Sequence, residues 1–284
     1  MHKSYLLLAG LARVAVGGKI LWDGRFNDVQ SNKDIEAWSW SNQVGPYQYY
    51  IHGPSPIDAY VNLDPSYRNP ADLGSSKGVK ITVDDTSFWN GQTLRRTELI
   101  PQASAPINAS RVFYHFSLQR SDVNPPDTNK EHQIAFFENH FTELKSGHLG
   151  DPTGITDNFL RWNAAGKTLW STTWNAHVWH NIAYEVDFDA KTVAFWHSEG
   201  ADDLELTVPA VKADTFSDNK DFHLGSLVVP RDGFPDLTED FYFSSVWVES
   251  GETITTGIAG PENSPAKVPA TQVTRTGPPP PKDS

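Results

Sequence analysis

The chain has 284 residues, enough for one large domain or two, and a body of that size supports a full core without staples. It contains no cysteine, which excludes disulfides, thiolate zinc sites and a cysteine nucleophile. The formal net charge of −12 repels phosphate backbones and argues against nucleic acid as a partner, while leaving neutral sugars open.

Residues 1–18 read as a signal peptide: His2 and Lys3 are basic, Tyr5 to Ala12 are mostly apolar, and Ala15 and Gly17 are small. Arg13 interrupts the pattern. A secreted, extracellular protein is therefore expected. No apolar run of membrane-spanning length follows, so neither a membrane span nor a membrane partner is expected, and the protein is expected to be a monomer.

Residues 19–257 carry strand signals nearly throughout and are expected to form one catalytic domain. Val79 to Val83, Val112 to Leu118, His132 to Leu144, Leu204 to Val208, Phe222 to Val229 and Phe241 to Glu249 are apolar, β-branched or aromatic runs. Trp179 to Phe188 alternates, turns at Asp189-Ala190-Lys191 and returns as Thr192 to His197, the pattern of a hairpin. Turn clusters such as Asn124-Pro125-Pro126-Asp127 and Pro230-Arg231-Asp232-Gly233 punctuate the runs. With no convincing helical period, the body is all-β, and many short strands in one unit predict a jelly-roll sandwich of antiparallel sheets. Residues 258–284 are Pro-rich without an aromatic residue and are expected to be a disordered tail. Asn108-Ala109-Ser110 is an N-glycosylation sequon.

Ten tryptophans exceed what a core of this size needs, and indole faces stack well on pyranose rings. Tyr47, Tyr50 and Trp89 are expected to line a cleft, and Trp38, Trp179 and Trp247 to belong to the core. Gly74-Ser75-Ser76-Lys77-Gly78 lacks the strand-to-helix context of a phosphate loop, and there is neither a G-x-S-x-G elbow nor an H-E-x-x-H pair. His177 and His180, three apart on an extended segment, point to opposite faces and make no metal pair. No cofactor or catalytic metal is expected; a structural calcium held by Asp23, Asp28 or Asp240 is left open.

Two segments mix polar and apolar groups on both faces, where a plain sandwich strand has one face of each kind. In Thr93 to Pro101, strand parity groups Arg96, Glu98 and Ile100. In Glu131 to Phe141, it groups Ile134, Phe136, Glu138 and His140, opposite Gln133, Ala135, Phe137, Asn139 and Phe141. Inter-strand hydrogen bonds and an ion pair account for such groups structurally. A sheet face carrying carboxylates, imidazoles and aromatics for a polysaccharide accounts for them functionally.

At these residues the chain resembles the fungal β-glucanases of glycoside hydrolase family 131. The likeness is carried by Trp22-Asp23-Gly24-Arg25-Phe26-Asn27, the stretch Trp38 to Gly53, Trp89-Asn90-Gly91-Gln92, Arg95 to Pro101, Glu131 to Glu138, Val178-Trp179-His180-Asn181, Phe222-His223-Leu224-Gly225 and Glu239 to Ser244. It runs from about Lys19 to Ser250. The resemblance implies a concanavalin-like jelly roll that hydrolyses β-1,3-, β-1,6- and β-1,4-linked glucans with inversion. It also implies two glutamates and a histidine at the cleft floor, here Glu98, Glu138 and His223; Arg96, Gln133 and His140 are expected to bind substrate beside them. The Pro-rich tail resembles a linker to a cellulose-binding module, with none following it in the sequence, so the cleft is expected to grip substrate alone.

Neighbours divide the roles: Arg96 near Glu98 favours a carboxylate and hence a base, whereas Phe136 and Ile134 near Glu138 favour a protonated acid. His223 is expected to orient one of them; a protonated His140 would oppose the shift of Glu138. Two other classes compete. The Arg-Thr-Glu-Leu run also resembles jelly-roll lyases of uronic-acid polymers such as glucuronan, with Arg96, Gln133, His140 and Tyr50 as the reacting set. A non-catalytic carbohydrate-binding protein on the same fold is the third.

Overall fold

The computed structural model describes residues 18–150 and 153–261; the expected signal peptide, but for its last residue, and the Pro-rich tail beyond 261 lie outside the described residues. Fifteen strands are present among those described, and one helix of five residues, α1 (Asn32–Glu36), closed by a capping box between Ser31 and Asp34.

The strands form two sheets in which all pairing is antiparallel. The first contains β1 (Lys19–Asp23), β3 (Val61–Asp64), β4 (Gly78–Val83), β6 (Arg111–Gln119), β11 (His180–Asp187), β12 (Thr192–Glu199), β13 (Glu205–Lys212) and β15 (Glu239–Ser250). Its order is β13-β12-β11-β6-β15-β4-β3, with β1 also on β15. The second contains β2 (Tyr47–Ile51), β5 (Arg95–Pro101), β7 (Glu131–Phe137), β8 (Thr142–Gly147), β9 (Phe159–Ala164), β10 (Lys167–Thr173) and β14 (Phe222–Val229), ordered β10-β9-β8-β7-β14-β5-β2. Neighbours distant in sequence, such as β14 between β7 and β5, show long crossovers between sheets, as in the expected jelly roll.

One apolar core fills the space between the sheets. Trp162 of β9 stacks on Phe195 of β12 at 4.9 Å, and Tyr114 of β6 meets Phe137 of β7 edge-on at 5.0 Å. These contacts join the two sheets, and the alternation of each strand decides which side chains take part. Beyond β15 the chain folds back: Arg25 donates to the Ala259 carbonyl at 3.3 Å, and Ile258 packs in a small cluster with Ala183 and Leu204.

The hairpin expected around Asp189 is β11–β12, in register from Asp187↔Thr192 to His180↔Glu199. The run His132 to Leu144 is two strands, because β7 ends at Phe137 and the chain turns through His140 (φ 54°) into β8.

The central irregularity lies where β7, β14 and β5 meet. Ala135 has φ 45°, and the β7–β14 register shifts between Ile134↔Ser226 and Phe136↔His223. This bulge overturns the expected grouping of Ile134 with Phe136. Ile134, Ala135 and Phe137 belong to the core, whereas Phe136 turns outward and stacks on His223 at 4.6 Å. Opposite Glu98 the β14 residue is Gly225; a Cβ there would sit 2.2 Å from the Thr97 carbonyl oxygen and 2.8 Å from the Glu98 Cα. Only glycine lets β14 lie this close to β5. Gly225→Ala should therefore destabilise the fold by about 1–3 kcal/mol, read as a lower urea midpoint with unchanged slope.

Candidate active site

The outward face of β5 carries Arg96 and Glu98, and the outward face of β14 carries His223. Glu98 is fully buried, yet it lies among groups that satisfy it. Arg96 donates from Nε to Glu98 Oε1 at 2.8 Å and from Nη2 to Oε2 at 2.7 Å, a bidentate pair between residues two apart on one strand. His223 Nδ1 approaches the same Oε2 at 2.5 Å. Its other nitrogen, Nε2, lies 3.1 Å from Glu138 Oε2. One imidazole thus joins the two glutamates. Arg96 Nη2 is also 3.9 Å from Glu138 Oε2.

The protonation states follow from these contacts. Burial alone would raise the Glu98 carboxyl, but Arg96 and then His223 outweigh it and hold Glu98 below the usual range. Burial alone would lower His223, but Glu98 and then Glu138 raise it. The imidazolium is thus favoured between two carboxylates.

Glu138 differs from expectation. It follows β7 on a turn, its side chain is 63% exposed, and the hydrogen bond from His223 lowers its pKa against partial burial, with Arg96 and His140 assisting. Desolvation still raises Glu138 but is outweighed by His223, and the bulge places Ile134 in the core and Phe136 beneath His223 and His140. In the free protein Glu138 is ionised.

Two different walls flank this centre. On the β2 side Tyr50 lies 5.1 Å from Trp40, 5.6 Å from Trp38 and 6.1 Å from Trp89, an aromatic group with Tyr50, Trp40 and Trp89 partly exposed. Burial, then the nearby carboxylates, push the Tyr50 hydroxyl up to about 12, so it is a neutral donor. Trp40 was not singled out by the sequence, although the Trp38-Ser39-Trp40 alternation was its available signal. On the other side Gln133 donates to Glu131 at 2.9 Å, Lys145 bonds Glu131 at 2.7 Å and approaches Glu143 at 3.5 Å, and His140 bonds Glu143 at 2.9 Å. Gln133 and His140 are therefore members of one polar ladder.

Tyr47 is not in the cleft. It is 1% exposed, stacked on Phe26 at 5.1 Å, and its hydroxyl donates to the Gly24 carbonyl at 2.5 Å. The β2 alternation sends Tyr47 and Tyr49 to the core and Gln48 and Tyr50 outward. Trp38, Trp179 and Trp247 are buried, at 6, 7 and 2% exposure. Of the acidic residues considered for calcium, Asp23 pairs with Arg25, while Asp240 is bonded by Thr82 and Asn124. A cavity of about 680 Å³ lined by Arg120, Asp127 and Trp174 contains none of Glu98, Glu138, His223 and Arg96. The site is an open sheet face, as a polymer chain requires.

An ionised glutamate pair joined by an imidazole, beside exposed aromatics on a two-sheet sandwich, has the form of a carbohydrate-cleaving enzyme. The model of the glycoside hydrolase 131 catalytic N-terminal domain matches residues 20–253. The structure is similar to the crystal structure of a family 131 β-glucanase catalytic domain from Podospora anserina, with 61% identity, a TM-score of 0.84, and coverage of 86% of this chain and 100% of that one. It is also similar to the family 131 catalytic domain from Coprinopsis cinerea, with 44% identity, a TM-score of 0.79 and the same two coverages, 86% and 100%. No curated protein sequence matches the chain. The chain belongs to glycoside hydrolase family 131.

Tyr47 and Tyr50, three residues apart, should respond oppositely to truncation. Tyr47→Ala should cost about 3–5 kcal/mol of stability. Tyr50→Ala should keep the melting temperature and raise KM. Thermal unfolding and saturation kinetics on the same preparations check both.

Proposed function

We propose that this protein is a secreted β-glucan hydrolase that cleaves β-1,3-, β-1,6- and β-1,4-linked chains with inversion, using Glu98 and Glu138 as base and acid. The observation that carries the reading is the unbroken contact Glu98–His223–Glu138, with Glu98 inside and Glu138 at the surface. Membership of the family and the name of the Podospora relative, a β-glucanase, support the substrate class.

Burial favours inversion over retention. A retaining enzyme must bond a carboxylate oxygen to the anomeric carbon, with the sugar ring around it. Glu98 has no exposed surface in the free protein, so an anomeric carbon cannot bond to it; for a water to reach Oε1, substrate binding must shift the Arg96 side chain that covers it. Bound glucan displaces water from Glu138, which raises its pKa and draws the Nε2 proton from His223. Glu138 then protonates the departing glycosidic oxygen as the C1–O bond breaks. Glu98 takes a proton from the water that attacks C1 from the opposite side. Release of that proton from Glu98, with uptake of one at His223 Nε2, restores the starting state. The sugar rings stack on Tyr50, Trp40 and Trp89, and their hydroxyls meet the Gln133–Glu131–Lys145 ladder.

The lyase reading loses its chemistry at the same residues. Arg96, which would neutralise a uronate carboxylate, is bound bidentately to Glu98, and His140 is held by Glu143.

Laminarin, pustulan and carboxymethyl-cellulose should each yield new reducing ends, and Glu138→Gln should lower kcat at least about 100-fold. Proton NMR of the first product should show the α-anomer; a β-anomer overturns inversion, and an unsaturated uronide from glucuronan overturns hydrolysis.

The pH profile has a definite sign. Activity needs one proton shared in the unit, and His223 holds it above the ordinary histidine value of 6.5, so the alkaline limb should fall above 6.5. Glu98 and Glu138 are both lowered from 4.5, so the acid limb should fall below 4.5. A kcat/KM profile with its alkaline midpoint under 6.5 contradicts the shared proton.

A further inference from the structure

Far from the catalytic face, the end of β11 meets the end of β12. His180 stands directly opposite Glu199, and His197 lies two residues before Glu199 on the same strand. Residues of this parity, such as Ile182, Tyr184, Val193 and Phe195, fill the core, so both imidazoles and the carboxylate face the gap between the sheets. His180 Nδ1 is 3.1 Å from His197 Nε2 and 3.7 Å from Glu199 Oε1, and one ligand atom from each of the three lies within 4.8 Å of the others.

Hydrogen bonding alone leaves this arrangement underused. Two neutral rings share a single proton between Nδ1 and Nε2. His180 is fully buried and Glu199 stands beyond hydrogen-bond distance of it, so a single hydrogen bond links the three converging groups. The second ring is fixed in place, since His197 packs 4.5 Å from Trp170 of the opposite sheet.

We infer that His180, His197 and Glu199 form a binding site for one divalent transition-metal ion, with zinc the ion that the donor set suits. Two imidazoles and a carboxylate are a known zinc donor set, and tetrahedral zinc with bonds of about 2.0–2.1 Å places its ligand atoms about 3.3–3.4 Å apart. The observed 3.1 and 3.7 Å separations bracket that value. The Glu199 side chain is 53% exposed, which gives the ion an entry path and leaves a fourth position for water. The ion would clamp the ends of β11 and β12 where only His180 is fully enclosed. It would act on stability and not on hydrolysis, because all three ligands lie on the sheet opposite the glutamate pair.

The test is titration of the metal-stripped full chain with zinc, and with cobalt(II) as a spectroscopic probe. One equivalent of zinc should bind, and at a hundredfold excess over Kd the melting temperature should rise by about 5 °C or more. Cobalt(II) should give the intense visible bands of a tetrahedral N₂O₂ set. Glu199→Gln should weaken zinc binding at least tenfold, and His197→Phe, which keeps the ring against Trp170, should abolish it. Both variants should keep wild-type kcat on laminarin. The inference is overturned by zinc that neither binds nor raises the melting temperature, by binding that survives in both variants, or by the weak bands of octahedral cobalt.

Discussion

Glu98 is a carboxylate with no exposed surface, and an isolated charge in that position would be prohibitive to bury. Arg96 makes it tolerable through a two-pronged pair, and His223 completes the set by binding the same oxygen that Arg96 Nη2 holds. Removing one partner from such a group leaves a buried charge uncompensated, typically at about 3–5 kcal/mol. The positions of β5, β14 and the turn after β7 are therefore tied to one electrostatic contact. Gly225 permits the approach of β14 to β5, and the His223 ring then reaches Glu98 with one nitrogen and Glu138 with the other.

The same contact links stability to chemistry. Burial of Glu98 requires cationic neighbours, and those neighbours keep it ionised, which is the state a base requires. Glu138 remains near water in the free protein, so its protonation can change when a polymer covers it. The open sheet face allows a long chain to lie across this centre, between rings that stack on one side and a hydrogen-bonding ladder on the other.

The opposite sheet follows a different logic. Its central strands bury polar groups in pairs: His115 against Glu249 at 3.0 Å, and Asn181 with Ser117 at 2.7 Å. These groups are satisfied within the fold. The cluster of His180, His197 and Glu199 stands apart from them because three possible ligand atoms converge there. Sequence reading dismissed His180 as a ligand by pairing it with His177. Its actual neighbours come from the facing strand, where register and not spacing along the chain decides proximity.

Local sequence was sufficient wherever a strand keeps its alternation. The hairpin around Asp189, the run Phe222 to Val229, and the shared face of Arg96 and Glu98 follow from period-two geometry, which any extended chain must obey. Motif likeness on Arg95 to Pro101 and Phe222 to Gly225 carried the family. What alternation cannot reveal is a break in itself. Ala135 adopts a positive φ that its residue type does not announce, and this one dihedral moves Phe136 under His223 and sends Ile134 to the core. The protonation of Glu138 was misjudged for that reason. Tyr47 and Tyr50 look alike in sequence, but Phe26, Trp22 and Gly24 enclose the first, and those neighbours lie more than 20 residues away. The sequence by itself determined the all-β sandwich and the family. Only the tertiary structure decided which polar groups are buried, which share a proton and which meet solvent, because these depend on contacts between strands that the chain brings together from a distance.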